Sequence, residues 1–480
     1  MILGNLSRVI DSRGDPMVEW SDKRSALAIS VLSSFFTPFM ASSVNVALPS
    51  ISSEFSMSAF LLSWVATSYL LSAAIFLVPF GRIADIKGRK AVFLAGTWIF
   101  IVSSVLCAVA PDALLLIVFR VAQGIGSGMI FGTSIAILTS VYPPSERGKV
   151  IGIATAVVYI GLSIGPFVGG VLTTNLGWRS LFLVLLPLGA AILYIGHVKL
   201  KGEWAEAKGE RFDLAGSIVY ALGLSLFIIG FSLLPQTAVS PIIAWALTAV
   251  GVVGILLFVL LELRTRSPVL DMRLFRSNRA FAFSNIAALI NYAATFAVGF
   301  LMSLYLQYIL GMDPQGAGLI LVSQPIVMAV FSPLAGKRSD TIEPRLLATI
   351  GMAISAIGLL FFAMLTEGTG IPLIVGCLAF IGFGFALFSS PNTNAIMGSV
   401  ERKQYGIAAA SVGTMRLIGQ VLSLGIASVC ISLFLGPSQV TPALHHEFLQ
   451  GFQLAFSVFA VMCFIGVFAS FYRGKVRREN

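Results

Sequence analysis

The stretch Gly81-Arg82-Ile83-Ala84-Asp85-Ile86-Lys87-Gly88-Arg89-Lys90 has a shorter echo 255 residues later, Gly336-Lys337-Arg338-Ser339-Asp340. The same offset relates Glu146-Arg147 to Glu401-Arg402 and Gly170 to Gly425. It also carries the start of an apolar run near residue 26 onto the start of another near residue 280. Agreement at one separation in places so far apart exceeds what short basic loops share by chance. The chain therefore divides into two repeated halves, 26–198 and 280–472, with an insertion at 199–279 and polar ends at 1–25 and 473–480.

Each half is too oily to be soluble. Of 480 residues, 57% are hydrophobic and only 11% charged, against about 25% charged in soluble domains. The mean hydropathy is +0.94. These values exclude a soluble enzyme, a disordered chain and a coiled coil, and leave an all-α polytopic membrane protein. A helix needs about 20 apolar residues to cross about 30 Å of hydrocarbon. Fourteen such runs occur, near 26–48, 60–80, 91–110, 113–140, 151–174, 180–198, 214–234, 241–262, 280–309, 317–336, 345–366, 371–396, 406–434 and 452–472. They are continuous and lack two-residue alternation, which excludes a barrel. The first 25 residues are polar, with Asp11, Asp15, Glu19 and Asp22, so no cleavable signal peptide is expected.

Charge sets the expected topology. Even-numbered connections and both tails hold 28 of the 31 Lys and Arg; odd-numbered connections hold Arg179 alone, and Arg120 and Arg416 lie within spans. The bias predicts cytoplasmic termini, and the expected location is the plasma membrane. The net charge of +10 is thereby accounted for by topology. Its scatter among loops argues against nucleic acid. No Gly-x-x-x-x-Gly-Lys-Ser/Thr occurs, so no nucleotide is expected, and Gly124-Ile125-Gly126-Ser127-Gly128 lacks the preceding strand of a dinucleotide loop. Cys107, Cys377, Cys430 and Cys463 all lie in apolar runs, and His445-His446 reads as a solvated loop. Neither a metal nor a cofactor is expected, and no catalytic constellation suggests an enzyme.

Three motifs carry more specific meaning. In Gly81-x-x-x-Asp85-x-x-Gly88-Arg89-Lys90 the glycines let helix ends approach, and an acid beside basic residues suits an ion-pair latch; Asp340 with Lys337 or Arg338 repeats it in the second half. The fourth span holds Leu116-x-x-x-Arg120-x-x-Gln123-Gly124, with an arginine that must face a cavity or a partner. The fifth holds Gly161-x-x-x-Gly165-Pro166-x-x-Gly169-Gly170, small residues that permit close helix contact beside a bending proline.

In this order and topology the chain resembles the major facilitator superfamily. The fifth-span motif is similar to the signature of its antiporter branch, and two extra spans resemble the fourteen-span drug:proton antiporter family. Asn45-Val46-Ala47-Leu48-Pro49, Trp178-Arg179, Phe212-Asp213-x-x-Gly216, Tyr305-Leu306-Gln307 and Arg416-x-x-Gly419 fit the same resemblance. It implies two six-helix bundles plus two inserted spans. It also implies alternating access around a central site and export of lipophilic small molecules driven by protons. One departure stands out. Where the family commonly has an acid ahead of the first-span motif, this chain has Met40, and no Asp or Glu falls near mid-membrane. An anionic or neutral amphipathic substrate is therefore as fitting as a cation.

The same resemblance places the first, fourth, ninth and twelfth spans around the pathway and favours Asn45, Arg120, Gln123, Asn291 and Asn392. Gln307, Gln324 and Arg416 are further polar candidates, and Trp64 and Tyr69, with Phe296, Phe300 and Tyr305, are candidate stacking surfaces. For each polar residue the alternative is structural. Arginines bond backbone carbonyls or snorkel, and amides bridge helices. The inserted pair of spans, preceded by the linker Lys201-Gly202-Glu203-Trp204-Ala205-Glu206, reads as peripheral and without a direct transport role.

Overall fold

A computed structural model describes residues 20–474 apart from 237–238, 266, 340, 402–403 and 437. Fourteen helical spans follow one another: Asp22–Phe55, Ala59–Lys87, Arg89–Ala108, Ala113–Val141, Val150–Leu176, Ser180–Lys199, Leu214–Leu233, Pro241–Arg264, Arg279–Ile309, Pro314–Arg338, Pro344–Ala363, Ile371–Gly398, Ile407–Leu435 and Pro442–Tyr472. They correspond one to one with the apolar runs. Helix is the outcome expected for chain in lipid, where each backbone N–H and C=O must find its partner within the segment. The first and last spans outrun their apolar cores. Polar Ser50, Ser52 and Glu54 continue the first helix, and His445, His446 and Glu447 open the last.

The repeat has a spatial counterpart. Within the first six spans the neighbours are first with fifth, second with fourth, and third with fourth; in the last six, ninth with thirteenth, tenth with twelfth, and eleventh with twelfth. The halves meet where the second span packs on the thirteenth, the fifth on the tenth, and the first on the ninth. Large apolar side chains such as Val102, Leu114, Ile242, Trp245 and Val253 stay exposed and form a surface suited to acyl chains.

Two placements differ from the sequence reading. The seventh and eighth spans pair with each other, yet the seventh also packs on both the second and the thirteenth. The Tyr220 hydroxyl donates to the Ala74 carbonyl at 3.0 Å. The insertion thus sits against the seam between the halves. Arg473, expected in a solvated tail, turns back into the second bundle and is 1% exposed. It donates to Asn392 Oδ1 at 2.7 Å, Ser284 Oγ at 3.3 Å and the Pro344 carbonyl at 2.8 Å. Burial pushes its guanidinium down to about 10, so the charge persists at neutral pH.

Candidate functional site

Connections after the second, fourth and sixth spans share one face with the start of the first span; it is called the basic face here. The opposite face is the far face. Between the halves lies a cavity of about 830 Å³, part of it continuous with solvent. The first span contributes Ser42 and Asn45, the fifth Tyr159, Leu162 and Pro166, and the ninth Tyr292, Thr295, Phe296 and Gly299. The tenth adds Gln324 and Met328, the twelfth Phe385, and the thirteenth Arg416 and Gln420. No carboxylate is among the lining residues. Arg416 is half-buried, its guanidinium 5.7 Å from the centres of both the Phe131 and Tyr292 rings. Among the described residues it has no hydrogen bond or ion pair. The wall is thus apolar and aromatic with a few amides and one cation, a lining that suits an amphipathic ligand.

The far side of the cavity is sealed by hydrogen bonds between the halves. Ser303 Oγ donates to the Asn45 carbonyl at 2.8 Å, and Gln307 Nε2 donates to the Val46 carbonyl at 3.0 Å. Ser63 and Ser428 hydroxyls bond at 2.8 Å, and the Gln315 amide donates to Thr174 Oγ1 at 3.2 Å. Nearer the basic face, Tyr159 Oη and Ser389 Oγ share a bond of 2.7 Å that also crosses between the halves. The fifth-span glycines let this helix press on the first span and, at Gly170, on the opposite half. A Cβ on Gly169 would stand 2.9 Å from the Ser43 carbonyl, and one on Gly170 would run into the Pro314 carbonyl. Gly161 and Gly165 likewise seat this helix on the first span, while Pro166 faces Gly318 of the tenth. The conformation is closed toward the far face.

Of the predicted pathway residues, Asn45, Gln324 and Arg416 line the cavity, and so does Phe296. The others sit elsewhere. Arg120, 1% exposed, is enclosed by the second, third and fourth spans. It donates to the Val65 carbonyl at 2.9 Å and to Gln123 Oε1 at 2.5 Å, and lies 4.2 Å from the Tyr69 ring centre. Gln123 passes the chain on to Ser104 Oγ at 2.7 Å. Tyr69 bonds Ser127 Oγ and the Thr37 carbonyl. The fourth span therefore does not line the cavity: its glycines press it against the second and third spans, and its arginine is satisfied there. Gln307 belongs to the seal, Asn392 to Arg473, and Trp64 packs beside Phe60. Asn291 is fully buried, and among the described residues neither amide atom has a partner. Tyr159, Tyr292, Phe385 and Gln420 were not singled out from the sequence. They are single polar or aromatic residues in apolar runs, and nothing in their spacing marks them.

The loop at Gly81–Lys90 forms an ion-pair cluster, with an additional partner. Arg89 meets Asp85 at 2.7 Å and also holds the Glu206 carboxylate at 2.7 and 3.0 Å and Ser140 Oγ at 2.5 Å. Glu203 accepts from the Lys90 and Ala91 amides at 2.9 and 3.1 Å, capping the third span. Gly88 is required here: its φ is +127°, and a Cβ would stand 2.6 Å from the Glu203 carboxyl. Lys90 Nζ donates to the Leu200 carbonyl. Arg82 bonds Glu210 at 2.5 Å, and Glu210 also accepts from Ser267 at 3.0 Å. The Ser267 hydroxyl first, and Arg82 with it, hold the Glu210 carboxyl below its usual range. The ion-pair cluster therefore ties the first half to the linker at 200–213. Asp340, its counterpart in the second half, lies outside the described residues.

Two bundles around a mid-membrane cavity, one face sealed, define a multi-pass membrane transporter. The profile of the Major Facilitator Superfamily matches residues 30–263 and 285–480, and the chain belongs to that family. It is 31% identical to "Multidrug resistance protein Stp" of Mycobacterium tuberculosis, over 82% of this chain and 73% of that one. It is 27% identical to "Riboflavin transporter RibZ" of Clostridioides difficile, over 92% and 95%. With "Cephamycin export protein CmcT" of Amycolatopsis lactamdurans identity is 30%, over 85% and 84%. The fold resembles a bacterial homologue of the lysosomal transporter Spinster in an inward-facing, unoccupied conformation, with a TM-score of 0.64 and 18% identity over 95% of this chain and 97% of that one.

Proposed function

We propose that the chain is a secondary active exporter of amphipathic small molecules, driven by proton entry, with the basic face in the cytoplasm of a cell whose plasma membrane it spans. The observation that carries this is the cavity between the halves, sealed on the far face and lined by rings, amides and the unpaired Arg416, with no carboxylate. A flat ligand gains from Tyr292, Phe296 and Phe385, while Arg416 and Gln324 fix a polar end. An acidic or uncharged substrate suits such a wall better than a cation, which would meet Arg416 without a compensating acid.

Transport follows from exchanging one seal for another. Outward release requires the Ser303–Asn45, Gln307–Val46, Ser63–Ser428 and Gln315–Thr174 bonds to part and the basic-face ends to close. Ligand and protons act by binding the two conformations with different affinity. Relatives named for multidrug resistance and cephamycin export support export; the one named a riboflavin transporter supports a second reading, a carrier dedicated to one metabolite. Proteoliposomes with an imposed pH gradient test both. Gradient-driven movement of several unrelated fluorescent compounds supports the broad exporter, and movement of one compound alone supports the dedicated carrier. Flux of none would overturn transport and leave a membrane sensor of this fold.

A further inference from the structure

The cavity wall holds no carboxylate, so a proton that drives transport needs another seat. Glu262, near the basic-face end of the eighth span, is fully buried. Its Oε2 accepts from the Leu270 amide at 3.0 Å, and its Oε1 has no hydrogen-bond partner among the described residues. Asp213 caps the seventh span, its Oδ1 accepting from the Gly216 amide at 2.9 Å, and its Oδ2 is likewise buried without a partner. Both orphaned oxygens converge on one point: a Cβ on Gly216 would touch Asp213 Oδ2 and stand 2.7 Å from Glu262 Oε1. Two carboxylates facing each other in so confined a space cannot both stay ionised, whereas one proton between them satisfies both oxygens.

The surrounding charges leave that proton in place. Arg273, on the short helix Met272–Ser277, is engaged with the Leu263 and Thr265 carbonyls. Arg82 is committed to Glu210, Asp271 caps its own helix, and Arg211 and Arg264 are exposed. Among the described residues no cation bonds either carboxyl. The geometry points to Asp213 and Glu262 as a proton-binding carboxyl pair, loaded from the basic face and released when the seventh span shifts. The position gives the proton leverage. Asp213 follows the docked linker, three residues after Glu210, and the seventh span packs on the second and the thirteenth across the seam. Deprotonation places two negative charges at the foot of that helix and pushes it from the eighth, which loosens the seam.

The link to transport rests on the proton-driven reading above; the shared proton itself does not. Infrared difference spectra of purified protein, with carbon-13 placed in glutamate or aspartate carboxyls, report a protonated buried carboxyl directly. The expected result is a protonated band at neutral pH that shifts with the label and is lost in both Glu262→Gln and Asp213→Asn. Absence of the band, or its survival in both variants, overturns the pair. In proteoliposomes, wild-type flux depends on pH at the basic face, and Glu262→Gln flattens that dependence at least severalfold. A wild-type pH profile in Glu262→Gln overturns the coupling role. No gradient-driven flux in the wild type would instead defeat the exporter reading and leave the infrared result standing. Asp213→Asn, a smaller change at a half-buried site, serves if Glu262→Gln folds poorly.

Discussion

Arg120 and Arg416 are the two arginines whose positions in the sequence look alike: each sits inside an apolar span with no acid nearby. Their surroundings are opposite. Arg120 is sealed among three helices of one half, with a backbone carbonyl, an amide and an aromatic face to hold it. Arg416 stands between rings at the junction of the halves with no polar partner among the described residues. A charge in a membrane is paid for either by partners at hand or by a ligand still to come. The difference separates scaffold from binding site more sharply than depth or spacing does.

Loss of Arg120 should tell first on folding. Arg120→Leu deprives Gln123 and the Val65 carbonyl of a charged donor, and such bonds are worth about 1.5–3 kcal/mol each. The expected outcome is a marked fall in folded yield and melting temperature in detergent. A variant as stable as the wild type that has lost transport would return Arg120 to the pathway. Arg416→Gln should do the reverse. Its melting temperature should stay near wild type, while affinity for a carboxylate-bearing substrate falls roughly tenfold or more for the loss of a charge-assisted bond. Equal affinity for the acid and its neutral ester in the wild type would remove the reason for the contrast.

A second contrast lies between Asp85 and Glu210, both attached to the loop at the end of the second span. Asp85→Asn weakens an ion pair with Arg89, which is 8% exposed, and should abolish most transport while leaving insertion intact. Wild-type efflux would refute its role as a latch. Glu210→Gln removes a pair screened by solvent and should cost much less. Because Ser267 and Arg82 depress the Glu210 carboxyl, its contribution is present above the ordinary carboxylate range and is lost only as pH falls through the depressed value. Protection of the linker from protease should therefore weaken on acidification, and less steeply in Glu210→Gln.

Hydropathy and the 255-residue offset made the span count and the pairing of halves legible, because bilayer thickness and an internal repeat leave marks of fixed length. The fifth-span glycines were legible for the same reason: only small residues allow that approach. The site was legible in part. Asn45, Gln324 and Arg416 stood out as polar groups in oily runs. The same rule also picked out Gln123 and Asn392, which are taken up by Arg120 one turn away on the same helix and by Arg473 from the far end of the chain. Tyr159, Tyr292 and Phe385 were invisible among 37 phenylalanines and 10 tyrosines, since only packing decides which rings face a cavity. The seventh span looked peripheral because its composition does not record which seam it covers.

The exporter proposed above requires its halves to open and close in turn around this cavity. Ser63 and Ser428, whose hydroxyls touch across the far-face seal, allow it to be tested by a disulfide between Ser63→Cys and Ser428→Cys in a background without the four native cysteines. Oxidation should stop gradient-driven flux and reduction should restore it; undiminished flux through the cross-linked protein would contradict alternating access at this seam.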